Sequence, residues 1–171
     1  MSFNRMKILT FMLVLFLFGC SEKISEKEYF DRAQLLEQNE EYDEAIETYL
    51  SIYKKFPGGE LGDESLFRSA IIQANILRHH EDAIKTHDRL LRAFPESDYA
   101  HQSFFMKGFI YANDIKDFEK AKNIYKEFLE KYPNSELATS VEWEINNLGK
   151  DINEIEFLGA DKVDSNTVRT Q

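Results

Sequence analysis

The chain carries three prolines, Pro57, Pro95 and Pro133, and each stands 38 residues from the next. Each follows an aromatic ring: Phe56, Phe94 and Tyr132. Twelve residues before each proline is an alanine (Ala45, Ala83, Ala121), and four residues after each alanine is a large ring (Tyr49, His87, Tyr125). Anchors that recur in register mark a repeat architecture. They outrank any local reading, because each unit must bury its apolar face on its neighbours.

Between the anchors the apolar residues follow helical spacing. In the first unit Tyr29, Phe30, Ala33 and Leu36 share one helix face, and Ala45, Ile46, Tyr49, Ile52 and Tyr53 share the next. Ser25-x-x-Glu28 is a capping box, so the first helix is expected from Ser25 to about Asn39. The second is expected over Tyr42–Phe56, ended by Pro57-Gly58-Gly59. The second unit predicts a helix over Asp63–Leu77, a turn at Arg78-His79-His80, and a second helix lined by Ala83, Ile84, His87, Leu90, Leu91 and Phe94 and ended by Pro95. In the third, Tyr99 to Tyr111 is followed by a turn at Asn113–Lys116 and a helix over Asp117–Tyr132.

A seventh helix follows Pro133, with Leu137, Val141, Trp143, Ile145 and Leu148 apolar. Two starts fit it, Ser135 or a capping box at Thr139-x-x-Glu142, and Gly149 fits as its stop. Trp143 is expected to seal the last unit's core. The fold class expected is thus an all-α right-handed solenoid: three helix-turn-helix repeats, about 25–58, 61–96 and 98–134, plus a capping helix at about 135–149. One irregularity stands out. Ala33 to Ala45 is 12 residues, whereas Ala70 to Ala83 and Gly108 to Ala121 are each 13.

The N-terminus reads as an address. Arg5 and Lys7 precede an uncharged run from Ile8 to Gly19, which ends at Cys20. As a helix that run rises roughly 18 Å, against the ~30 Å of a bilayer core, so residues 1–19 read as a signal peptide. Residues 20–24 are then a tether. Residues 150–171 form a mostly polar tail, expected to be largely disordered.

A formal net charge of −10 argues against a nucleic-acid partner. One cysteine permits no internal disulfide. His79, His80, His87 and His101 lack the companion ligands of a metal site, so no metal is expected. No nucleophile motif, phosphate loop or nucleotide fingerprint occurs. The expectation is a chain with no catalytic residues, no enzymatic activity and no cofactor.

Gly108-x-x-Tyr111, Ala121-x-x-x-Tyr125 and Pro133 resemble a tetratricopeptide repeat (TPR), as do Ala33, Ala45 and Pro57. The second copy is looser, with Ala70, Gln73 and His87 at the glycine, tyrosine and aromatic positions. The 38-residue period, against about 34 for the common repeat, resembles two bacterial envelope families: the outer-membrane assembly lipoproteins of BamD type, and the CpoB (YbgF) coordinators. Leu17-Phe18-Gly19-Cys20 is similar to a lipobox. That resemblance implies diacylglycerol on Cys20 Sγ, cleavage before it, and two or three acyl chains, enough for stable anchoring. Ser21 in place of aspartate implies the outer membrane, with the periplasmic face favoured over the cell surface.

The TPR resemblance places Phe30, Phe67, Ile71, Phe105 and Phe109 on the first helices, toward the concave face. Two readings of this strip stand open: a groove for an extended or helical peptide of an envelope protein, or side chains packed against neighbouring helices. The function implied is a non-catalytic protein-interaction scaffold in an envelope complex, with outer-membrane assembly as the leading case. A receptor for a small ligand or glycan, and a structural homo-oligomer, are the alternatives.

Overall fold

Ser25 opens the first helix by the chemistry its sequence offers. Its hydroxyl accepts the Glu28 N–H at 3.2 Å, and the Glu28 carboxylate accepts the Ser25 N–H at 2.7 Å. The computed structural model describes residues 24–150 and Glu154, and among these the secondary structure is helical, with no strand. Seven α-helices follow in order: α1 Glu26–Gln38, α2 Tyr42–Lys55, α3 Gly62–Ile71, α4 His80–Ala93, α5 Asp98–Phe109, α6 Phe118–Lys131 and α7 Ala138–Asn147. They pack as α1 on α2, α3 on α4 and α5 on α6. Each second helix also meets the first helix of the next pair, and α7 packs on α6. This is the TPR-like helical solenoid that the recurring anchors require. Cys20, the leader and the tail beyond Glu154 lie outside the described residues.

The anchor residues occupy the interior. Ala45, Ala83 and Ala121 are fully buried, as are the rings of Tyr49, His87 and Tyr125. Phe56, Phe94 and Tyr132 each close the end of a second helix through an N–H to the carbonyl four residues back, at 2.8–2.9 Å. The following proline cannot continue the helix, and Gly58 turns the chain at φ +84°.

The extra residue of the second and third units is a backbone feature. α3 runs into a π-helical segment, Ile72–Ile76, and α5 into another, Ile110–Ile115. The first pair has no such segment. Its turn closes with the Glu41 N–H on the Leu36 carbonyl at 2.9 Å, five residues back. The matching bonds run six residues back: His79 N–H to Gln73 O at 2.7 Å, and Asp117 N–H to Tyr111 O at 2.9 Å. The residue before each of those donors, Glu40, Arg78 or Lys116, is left-handed, at φ 64°, 59° and 63°. The turn is therefore conserved in shape along the solenoid, and the thirteenth residue is absorbed just before it by a wider helical ring. The expected continuous helix over Asp63–Leu77 is corrected accordingly.

Two further expectations change. α7 starts at Ala138, after Leu137, and neither Thr139 nor Ser135 caps it. The Ser135 hydroxyl instead accepts the Leu137 N–H at 3.2 Å, in the loop before the helix. Trp143 does not seal the core. Val141 is the fully buried residue of α7, with Leu137, Ile145 and Leu148 around it, and Trp143 is half-buried beside two surface clefts.

Acids in the first turn of one pair hold the loop that leads to the next. The Glu26 carboxylate accepts the Glu60 and Leu61 N–H groups at 3.0 Å each. Asp63 accepts the Ser97 hydroxyl, while Ser97 Oγ caps α5 by accepting the Tyr99 N–H at 3.1 Å. Ser97→Ala removes both bonds at once. It should cost about 1 kcal/mol and lower the melting temperature by about 2–4 °C, read by calorimetry. An unchanged melting temperature would show that the loop is held by its apolar contacts alone.

Candidate functional site

The first helices of successive pairs stand side by side. α3 touches α5, and Arg68 on α3 reaches Glu37 on α1 at 3.6 Å. Helical spacing puts Glu64, Phe67, Arg68 and Ile71 on one face of α3, and Asp98, Gln102, Phe105 and Phe109 on one face of α5. Along this row lies a cavity of about 730 Å³, floored by Phe67, Phe105, Met106 and Leu137. Asp98, His101, Gln102, Asn134, Ser135 and Glu136 make up the rest of its wall. A smaller cleft of about 240 Å³ shares Phe67 with it and is lined further by Ile71, Tyr99, Glu37, Glu64 and Arg68.

The aromatic floor is held from behind. Phe67 stacks on Tyr99 with ring centroids 5.1 Å apart and meets the buried His87 at 6.0 Å. Phe105 contacts Tyr125 at 5.9 Å and Phe109 at 6.2 Å. His101 lies against Tyr132 at 4.1 Å. Each floor residue is half-buried, so one side of it packs inward and the other faces the cavity.

The five residues expected on this strip divide. Phe67 and Phe105 line the larger cavity, and Phe67 and Ile71 the smaller cleft. Phe109 belongs to a separate cleft of about 580 Å³ between α5 and α7, with Phe118, Trp143 and Glu144. Phe30 is a core residue at 6 % exposure. Its ring meets Tyr49 at 5.6 Å, and the Arg68 guanidinium lies 5.7 Å from its centroid. The structure adds Asp98, Tyr99, His101 and the loop residues Asn134–Leu137. Gln102 stands three residues before Phe105 and Asp98 seven, the spacing of one helix face, so that part is readable from spacing. The loop comes from the following unit, and no pattern in it points back to α5.

Charge is concentrated at one place in the smaller cleft. Arg68 bonds Glu64 at 2.8 Å, and Glu37 also accepts the Tyr49 hydroxyl at 2.7 Å. Burial first, and then the Glu37 carboxylate, push the Tyr49 hydroxyl well above the ordinary phenol range. This network ties α1, α2 and α3 together at the end of the groove. Its members are engaged with one another, which suits a fixed wall better than acid–base chemistry. The histidines are likewise dispersed: His80 Nδ1 is 3.8 Å from Asp114, and His87 is enclosed. Among the described residues no three metal-ligating side chains converge, and no helix is long and apolar enough to cross a membrane.

Residues 22–160 match a family model described as YfiO: Outer membrane lipoprotein. No curated protein matches the chain. The matched span includes every helix described above and most of the chain.

Proposed function

The chain belongs to the YfiO outer membrane lipoprotein family, the BamD-type TPR family, and from that premise we propose that it is a lipid-anchored scaffold which holds a segment of another envelope protein in the groove between α3 and α5. Cys20 is the anchor in this reading, acylated and set a few residues before Ser25, with the solenoid on the periplasmic face of the outer membrane. The complex it serves is the outer-membrane protein assembly machinery. No chemistry is assigned to the chain; its work is positioning.

The observation that carries the reading is the groove. Four apolar side chains, Phe67, Phe105, Met106 and Leu137, floor a cavity large enough for several side chains of a partner, on the helix row a TPR solenoid presents. A buried aromatic anchor in such a pocket supplies most of the affinity in peptide recognition, and polar groups at the rim supply register.

A photo-crosslinking amino acid at Gln102, exposed on the groove wall, tests this in cells. The expected result is a covalent adduct with an envelope protein, identified by mass spectrometry. The same group at Lys126, exposed on α6 away from the groove, should give none. Adducts at Lys126 with none at Gln102 would move the contact to the other face. Adducts only with the chain itself would favour a homo-oligomeric structural role.

A further inference from the structure

The groove is apolar at its floor and acidic at its rim. Asp98 and Glu136 stand on the wall of the larger cavity, both exposed, and neither is ion-paired among the described residues. The lining of that cavity contains no Lys or Arg. In the adjoining cleft the one cation, Arg68, is shared between two carboxylates, Glu64 and Glu37, so that end is also net negative. The whole chain carries −10. A ligand of like sign would bring its charge against Asp98 and Glu136 with no counter-charge to meet it. A ligand carrying a cation would find two carboxylates at the rim and aromatic faces just below.

We infer that the groove takes a cationic segment of its partner protein, in which an aromatic or aliphatic side chain enters between Phe67 and Phe105 while a neighbouring Lys or Arg meets Asp98 or Glu136. This rests on the reading of the groove as the partner site and names the chemistry that site selects. The two parts have separate physical origins. The floor supplies affinity in proportion to apolar area removed from water, and is not weakened by the screening of charge. The rim supplies preference, through exposed charge pairs that salt screens.

The test uses the full-length lipoprotein in detergent and fluorescence anisotropy with two dye-labelled peptides of equal length. One alternates Phe with Lys and the other Phe with Glu; binding to protein-free micelles is subtracted. The Phe/Lys peptide should bind about tenfold more tightly, with the ratio shrinking as salt is raised. Asp98→Asn together with Glu136→Gln should abolish the ratio while shifting the melting temperature by less than about 2 °C. Equal affinities, or a preference that survives both substitutions, overturn the inference. If Gln102 still crosslinks to a partner in that case, only the charge selection falls. If neither peptide binds and the Gln102 adduct is also absent, the groove itself is not the partner site.

Discussion

Gly108→Ala lowers the stability of this chain by about 1–3 kcal/mol, although the same exchange at an open helical position raises it by about 1 kcal/mol. The reason is the approach of one ring. A Cβ on Gly108 would lie 2.3 Å from Tyr125 Cε1 and 2.8 Å from Cζ. Tyr125 cannot swing away at small cost: it is fully buried and walled by Phe105 at 5.9 Å. The second pair solves the same packing differently, with Ala70 where Gly108 stands and the smaller imidazole of His87 where Tyr125 stands. The two sites are therefore coupled. In a Tyr125→His background, Gly108→Ala should cost little or nothing, giving an interaction energy of about 1–3 kcal/mol in a urea-denaturation cycle. Additive losses would mean that the ring and the glycine do not share the constraint. Because Phe105 leans on Tyr125, the single variant should also weaken any ligand of the groove.

What the sequence shows of this fold follows from repetition. Ala45, Ala83 and Ala121 are fully buried, as is the ring four residues after each, so helix pairing is readable from three aligned copies. The π-helical segments are not. A thirteenth residue between Ala70 and Ala83 is visible in the spacing, but a longer loop and a wider helical ring carry the same side-chain pattern. Only the backbone bonds at Gln73 and Tyr111 distinguish them. The start of α7 is hidden for a related reason. Thr139-x-x-Glu142 has the residue types of a capping box, yet Thr139 is the second residue of a helix begun at Ala138, so it stands inside the first turn and not at the cap position. On the groove, register puts Phe67, Ile71 and Phe105 on one row, and the two adjoining clefts are lined by them. Register does not show that Phe30 is buried, because Arg68 of the next unit lies over that ring and Tyr49 abuts it, and contacts between helices leave no local trace. Cys20, on which the anchoring reading depends, lies outside the described residues, so lipidation rests on the lipobox and on the family to which the chain belongs.

His87→Leu should make this chain more resistant to acid and, at pH 7, slightly more stable. His87 has no exposed surface, and neither ring nitrogen meets a hydrogen-bond partner among the described residues. Burial first, and then the nearby Lys107 ammonium, push its imidazolium down from 6.5 to about 3. Lys107 is itself held by Asp88 at 2.6 Å, so its charge stays in place. The ring is thus neutral in the folded chain across the physiological range. The unfolded chain takes up a proton as pH falls through 6.5, and the folded chain does not until near pH 3. Between those values unfolding binds the extra proton, so stability is complete above about pH 6.5 and falls by about 1.4 kcal/mol for each pH unit below it. Leucine has similar volume and nothing to protonate, so that slope should vanish between pH 6 and pH 4. Removing two unpartnered polar atoms should add about 1 kcal/mol at pH 7. Glu144 works in the opposite sense. Burial raises its carboxyl above the ordinary 4.5, so the folded chain holds that proton more firmly, and the stability this contributes is present below pH 4.5 and lost as pH rises above it. Glu144→Gln should therefore leave the histidine contribution unchanged and make the net loss of stability toward acid slightly steeper. Urea midpoints for the parent and both variants at several pH values give the answer directly. If the His87→Leu and parent curves fall in parallel below pH 6.5, the acid sensitivity lies elsewhere. If they diverge as expected, the imidazole that replaces a tyrosine in the second unit is the group through which acid loosens the wall behind Phe67, and with it the groove.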